Sequence, residues 1–288
     1  MLKTIVKLLL AAIIYAVLFS AANALLPFSP GFKELEIADP LTTLVFIFLN
    51  SIWICFTAFF IIKHSQISGF KLFFNLLFVI FFVQSFMTQI ETLFFFDAFP
   101  VLIIPDIILI MVAAFIPLAA VIPLLIKFFH MKNSTTENIT IENQPLNIKK
   151  ILIKLGIIGI IYLFVYLLFG YFVAWQIEEL RFFYSGSKEK LGFLGQMLNN
   201  LNTYPAIIPF QIFRGILFAA FIIPLLNMTG KNKRVFITCV SLVYLSTAVM
   251  LIIPNALFPD TVRFGHLIEM TTSMLVFGII TGNIMAEK

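Results

Sequence analysis

Charge is scarce in this sequence. Lys, Arg, Asp and Glu make up 11% of its 288 residues, where a soluble domain carries about 25%. Nineteen basic and fourteen acidic side chains are too few to solvate the surface of a soluble protein this long. The shortage excludes an ordinary soluble enzyme, and a hydrophobic content of 61% excludes disorder. It also argues against a nucleic-acid partner, although the net charge is +5. Cysteine is nearly absent. Cys55 and Cys239 both fall inside apolar runs, which suggests two buried thiols and neither a disulfide framework nor a metal site. Only three histidines occur, His64, His130 and His266, and no H-E-x-x-H is present. Long polar stretches are missing too. The largest gaps in hydrophobicity, 127–150 and 176–205, are too short to bury a core of their own.

What the sequence does have is a series of long apolar runs. A bilayer core about 30 Å thick needs about 20 apolar residues per helix. Eight windows meet that length, at roughly 4–26, 41–62, 72–96, 101–126, 151–175, 206–228, 235–254 and 261–284. The expected fold is an all-α polytopic bundle forming one integral membrane domain over 1–288, with the lipid bilayer as its first partner. Lys and Arg set the orientation. With the N-terminus inside, the cytoplasmic segments hold thirteen of the nineteen basic residues and only Glu137, Glu142 and Glu287 of the acidic ones. An even number of spans with both termini in the cytoplasm satisfies this asymmetry. The first window, with its basic start and Ala22-Asn23-Ala24 ending, reads as a retained helix. It also fits a cleaved signal peptide, which would leave seven spans.

The chain carries a possible internal repeat. Gln89-Ile90-Glu91-Thr92-Leu93-Phe94-Phe95-Phe96-Asp97 and Gln176-Ile177-Glu178-Glu179-Leu180-Arg181-Phe182-Phe183-Tyr184 agree at six of nine positions. The Gln and Glu matches carry weight because those residues are rare here. The helices that follow correspond through Ile103-Ile104-Pro105 and Ile207-Ile208-Pro209, then through Ile122-Pro123-Leu124-Leu125 and Ile223-Pro224-Leu225-Leu226. This suggests a parallel hairpin repeat over 72–126 and 151–228. Convergent low complexity is the plainer account.

Ionisable groups inside a span are costly and mostly face a bundle interior or an aqueous cavity. Gln84, Thr88 and Glu91 share one helical face by spacing, Gln211 and Arg214 lie a turn apart, and Arg263, His266, Glu269 and Ser273 follow helical spacing. At 1.5 Å per residue Arg214 and Glu269 lie roughly 12 Å deep from the outer side. Glu91, Glu178 and Arg181 lie shallower. With Gln89 and Gln176, these residues suggest a buried polar network in the outer half of the membrane, and Arg214 with Glu269 is the expected ion pair. The network fits helix packing, a solute or ion site, or catalysis. His266 and Glu269 form an H-x-x-E pair that could hold a metal with Glu91 or Glu178, but polar packing is the favoured reading and no metal or cofactor is expected. Glu178-Glu179 with Arg181 is similar to the paired glutamates of intramembrane CPBP-type proteases. The spacing departs from E-E-x-x-x-R and the family's histidine elements are missing, so that assignment is rejected.

Other features have structural readings. Gly278 and Gly282 form a G-x-x-x-G suited to close helix packing. Pro117, Pro123, Pro209 and Pro224 should kink or loosen their helices. The 36 phenylalanines are packing bulk or face lipid, and Tyr171 and Trp175 suit an outer aromatic belt. The 185–204 segment suits a short amphipathic helix over the outer mouth, either a lid or a plain re-entry helix. Asn133-Ser134-Thr135 and Asn138-Ile139-Thr140 match the glycosylation pattern but fall in a cytoplasmic loop, as chance matches.

The region 171–278 resembles a group of uncharacterised multipass bacterial membrane proteins. The resemblance rests on Tyr171-Phe172-Val173-Ala174-Trp175-Gln176, Arg181-Phe182-Phe183-Tyr184-Ser185-Gly186 and Pro209-Phe210-Gln211-Ile212-Phe213-Arg214-Gly215. It continues through Ile253-Pro254-Asn255, Pro259, Val262-Arg263, His266 and Glu269. It implies a bacterial inner-membrane location and no particular chemistry. The functional expectation is a transporter or permease-like protein that binds a small polar or anionic solute, with Arg214 offering the positive charge. A membrane enzyme using His266 and Glu269, and a sensing or assembly protein with structural ion pairs, are the alternatives.

Overall fold

The computed structural model describes residues 2–35, 39–130, 147–230 and 232–287. The two glycosylation-like motifs at Asn133 and Asn138 lie outside the described residues. Among the described residues the regular structure is helical, with no strand. The helices are α1 (Leu2–Leu25), α2 (Pro30–Lys33), α3 (Pro40–Lys63), α4 (Gly69–Phe81), α5 (Met87–Phe94), α6 (Ile104–Phe129) and α7 (Ile148–Phe172). They continue with α8 (Glu178–Ser185), α9 (Phe193–Thr203), α10 (Ile207–Phe221), α11 (Ile223–Thr229), α12 (Lys233–Val249) and α13 (Asp260–Ala286).

Eight of the resulting segments are long and apolar enough to cross a bilayer: Leu2–Leu25, Pro40–Lys63, Gly69–Phe94, Ile104–Phe129, Ile148–Gln176, Ile207–Thr229, Lys233–Ile252 and Asp260–Ala286. They coincide with the eight apolar windows of the sequence. Their starts are punctuated as helix physics requires. Asp39 accepts the Thr42 N–H at 2.9 Å ahead of Pro40, and Asn147 and Asn232 accept the N–H groups of Lys150 and Val235. Each of these side chains satisfies a backbone donor that has no partner in the first turn.

Two spans depart from a plain α-helix in mid-course, and the fifth and seventh end in 3-10 turns. The third passes through a π-helical turn, Phe82–Phe86, between α4 and α5, where the Met87 N–H bonds to the Phe82 carbonyl five residues back. The sixth breaks between α10 and α11, where Pro224 lies in the first turn of the new helix. Pro117 and Pro123, by contrast, sit inside an uninterrupted α6, and Pro209 falls in the first turn of α10.

The spans alternate in direction, so the bundle has two ends. One carries both chain termini and contacts such as the Gln66 N–H to the Met228 carbonyl, at 2.7 Å. The other, called the distal end below, carries the connections around residues 26–35, 95–103, 173–206 and 250–259. Asp106, fully buried in the first turn of α6, fixes part of this end. It takes the Ser29 N–H at 2.8 Å, the Ser29 hydroxyl at 2.6 Å and the Ile103 N–H at 3.2 Å.

Glycine sets two helix crossings. A Cβ built on Gly278 would lie 2.9 Å from the Ser241 Cα, and one on Gly282 3.0 Å from the Ile237 Cα, so the G-x-x-x-G seats α13 on α12. At the crossing of α7 and α10, a Cβ on Gly215 would meet the Tyr162 Cβ at 2.5 Å and the Gly159 Cα at 2.8 Å. The backbones can approach this closely only because neither glycine carries a side chain. Next to that crossing the rings of Tyr162, Phe218, Tyr244 and Phe277 pack with centroids 4.9 to 6.0 Å apart. These rings underlie the polar site.

Candidate functional site

Arg214 stands on α10 beside Gly215 and is only 2% exposed. Its guanidinium meets Glu91 of α5 as a two-pronged pair, Nη1 to Oε1 at 2.6 Å and Nη2 to Oε2 at 2.7 Å. Nη1 also donates to the Gln211 side-chain oxygen at 3.0 Å, and Nη2 reaches the Met87 carbonyl at 3.5 Å. The rings of Tyr162, Phe210 and Phe218 surround it with centroids 5.6 to 5.9 Å from the guanidinium carbon. A planar fork matched to a carboxylate gives a strong, oriented pair, and in a membrane interior it cancels the cost of an isolated cation.

Arg214 therefore pairs with Glu91 and not with the Glu269 that sequence spacing suggested. By residue count Glu91 is the shallower of the two acids, so depth does not decide the pairing. α5, which carries Glu91, packs against α10, whereas α13, which carries Glu269, packs mainly against α12 and α7. Glu269 instead has His266 Nδ1 at 3.7 Å and the Ser273 hydroxyl at 3.3 Å, and it is 13% exposed. The other ring nitrogen of His266 hydrogen-bonds with the Tyr184 hydroxyl at 3.0 Å.

A cavity of about 600 Å³ occupies the distal half of the bundle, in front of the Arg214–Glu91 pair. Its polar wall includes Thr88, Gln89, Glu91, His266, Glu269 and Ser273. Five of the chain's seven tyrosines line it (Tyr162, Tyr166, Tyr171, Tyr184 and Tyr204), against five of the 36 phenylalanines. The hydroxyl-bearing rings are thus sorted toward the cavity. No lysine or arginine is among the lining residues. Arg214 lies behind Glu91, its outer nitrogens committed, so it does not present a positive charge to an anionic solute as the sequence suggested. The Tyr184 phenol is pushed well above its ordinary range, first by burial and then by the charges of Glu91 and Glu269. It stays protonated at neutral pH and able to donate. Two lining residues carry buried polar atoms without a partner: the side-chain oxygen of Gln89 and the indole nitrogen of Trp175.

The other polar residues singled out by sequence divide into separate roles. Gln84 is buried against Tyr15 of α1 and is absent from the cavity wall. The π turn holds more residues per turn than an α-helix, so Gln84 loses the shared face with Thr88 and Glu91 that regular spacing predicts. Gln211 supports Arg214. Arg263 donates to the Leu251 and Ile252 carbonyls at 2.9 and 3.0 Å and pairs with Asp260 at 2.6 Å, which ties the end of the seventh span to the start of the eighth. Arg181 is buried and holds the Trp175 carbonyl at 2.7 Å and the Lys188 carbonyl at 3.0 Å.

Gln176 is exposed, bonding to the Tyr171 carbonyl at 2.7 Å and to the Lys190 ammonium. Glu178 and Glu179 are exposed on α8, and Glu178 pairs with Lys188 at 2.8 Å. The Lys188 ammonium, by hydrogen bond and by charge, holds the Glu178 carboxyl below its usual range. Glu178 is therefore not beside His266 and Glu269, and Glu91 is taken by Arg214. Among the described residues no three His, Cys, Asp or Glu side chains gather as a metal set.

Sequence reasoning missed the tyrosines, Asp106, and the amides of α9. The scarcity of tyrosine beside abundant phenylalanine was the available signal for the first. Pro105 with Asp106 just after Ile103, a helix-start pattern, was the signal for the second.

Eight apolar spans whose exposed leucine, isoleucine and phenylalanine side chains meet lipid define an integral membrane protein. No family model, no curated protein and no solved structure matches the chain.

Proposed function

We propose that this is a permease-like protein of a bacterial inner membrane, with both termini cytoplasmic and the cavity open toward the outer side. It binds a small polar or cationic solute there. The Lys and Arg asymmetry supports the orientation, and the resemblance over 171–278 supports the location. The single observation that carries the functional reading is the contrast between two cavity acids. Glu91 is neutralised by Arg214, whereas Glu269 has only a histidine and a serine within reach. A carboxylate with no lysine or arginine among the cavity-lining residues, in a tyrosine-lined cavity, attracts a cation or a hydrogen-bond donor. A cavity of this size fits a ligand of modest molecular weight.

The test is uptake by proteoliposomes over a panel of small amines, polar neutral solutes and anions, with Glu269→Gln as the paired variant. Selective amine or polar uptake that falls tenfold or more in the variant supports the reading. Anion-selective uptake, or uptake indifferent to Glu269, sinks it.

A further inference from the structure

The cavity is not uniform. Thr88, Glu91, Tyr162, Tyr166, Glu269 and Ser273 form one polar part of its wall. Phe32, Phe99, Leu102, Ile110, Leu257 and Phe258 form another part, and these six belong to a single apolar cluster that adjoins the polar part where Phe258 packs on His266. A solute small and polar enough to be satisfied by the first part leaves the second in contact with water or empty, and neither stabilises a complex. A ligand with an ammonium at one end and a hydrocarbon body at the other fits both.

The helix that roofs the cavity points to where such a ligand comes from. α9 turns Gln196, Met197, Asn200 and Thr203 toward the cavity, with Gln196 and Asn200 joined side chain to side chain at 2.7 Å. Its other face exposes Leu194 at 75% and Leu198 at 64%. A helix lying in water would present the reverse arrangement. Exposed leucines beside the exposed amides of Asn199 and Asn202, with Gln196 and Asn200 turned inward, suit α9 to lipid headgroups, between an apolar milieu and a polar chamber.

We infer that the ligand of this cavity is a cationic amphiphile, an alkyl or aryl ammonium, taken from the outer leaflet, with its ammonium at Glu269 and its hydrocarbon body against the Phe99–Phe258 cluster. This rests on the cation-accepting reading of the same cavity. Gln89 adds an independent support: it is buried at the wall, and its side-chain oxygen has no donor of its own. An ammonium carries three N–H donors, enough for Glu269 and for that oxygen together.

Trp175 lines the cavity, and Trp53 is the chain's other tryptophan. A Trp53→Phe background therefore turns Trp175 into an internal fluorescence reporter. The full-length protein in lipid nanodiscs is titrated with decylamine, ethylamine and decanol, and each titration is repeated with Glu269→Gln to subtract partitioning into lipid. The expected result is a saturable Trp175 response to decylamine, with half-saturation roughly tenfold or more below that of ethylamine. It weakens about tenfold or more in Glu269→Gln, and decanol gives little. Ethylamine binding as tightly as decylamine overturns the amphiphile and leaves the cation cavity standing. Decanol matching decylamine, with Glu269→Gln indifferent, overturns the ammonium recognition. No saturable response to any of the three overturns both readings.

Discussion

Arg214 and Glu91 are 123 positions apart in the chain and meet through two hydrogen bonds of 2.6 and 2.7 Å. The pair joins the third span to the sixth at the back of the cavity. Removing Glu91 leaves Arg214 as an uncompensated charge in a nearly dry setting, at a cost of about 3–5 kcal/mol, whereas Glu91, 29% exposed at the cavity, costs less when left alone. Glu91→Met should lower the unfolding midpoint strongly in detergent, and Arg214→Met should lower it less. The double variant should lose much less than the sum, because neither charge is left behind. Additive losses in the double-mutant cycle would mean that the pair is not the coupling seen here.

Gly215→Ala places a methyl group against Tyr162 and the Gly159 backbone. Separating α7 from α10 should cost about 1–3 kcal/mol. Gly156, in the same α7, has open space around it, so Gly156→Ala should be neutral or slightly stabilising in the same unfolding assay. Equal effects at the two positions would remove the close crossing from the account.

Arg263 clamps the 250–259 connection, whose Met250, Leu251, Ile253 and Asn255 line the cavity. Arg263→Ala should raise amide hydrogen exchange at 250–258 by about tenfold or more while leaving α3 and α4 unchanged. Unaltered exchange in that connection would show that Asp260 and the surrounding packing suffice to hold it.

The phenols at the distal end give an alkaline signature. Burial raises the Tyr184 pKa in the folded state, and burial with the Asp97 charge raises that of Tyr204. The unfolded chain loses these protons near the ordinary tyrosine value of about 10, and the folded chain holds them longer. Stability is therefore unaffected below that pH and falls as pH rises above it. Tyr184→Phe should flatten part of this decline in melts taken between neutral and strongly alkaline pH. An alkaline limb unchanged by the variant would assign the decline to other groups.

The exposed Glu178–Lys188 pair has the opposite sign. Lys188 lowers the Glu178 pKa in the fold, so whatever the pair contributes is present above the unfolded carboxylate pKa and lost as pH falls through the folded one. Both side chains are solvated and screened. Lys188→Ala should leave the melting temperature unchanged at physiological salt, and a clear drop would show that α8 depends on this contact.

The spans were legible in the sequence because hydrophobic length is a local property and the bilayer fixes its scale. The choice of Arg214, Glu91, His266 and Glu269 was legible for the same reason: each is an ionisable group inside a run that should have none. Which acid meets Arg214 was not legible. That depends on which helices pack side by side, α5 against α10, and this leaves no mark in a residue-by-residue reading of spacing. The cavity escaped because it is bounded by tyrosines and amides from many separate segments, and its segregation into acidic and apolar parts exists only once those segments meet. Glu178 was misleading in another way. It matches Glu91 in local sequence but lies beyond the end of its span, where water and Lys188 satisfy it.

The π turn at Phe82–Phe86 makes the third span behave like two rulers joined with an offset. On one side Gln84 meets Tyr15 of α1 and Ser85 is buried in the core; on the other, Thr88 and Glu91 are read by the cavity. Each residue of an α-helix advances the side chains by about 100°. Losing a single residue from this turn would leave every span the right length and every motif intact, yet swing Glu91 away from Arg214. In this protein the register of one turn, as much as any side chain, decides which acid is neutralised and which is left to meet a ligand.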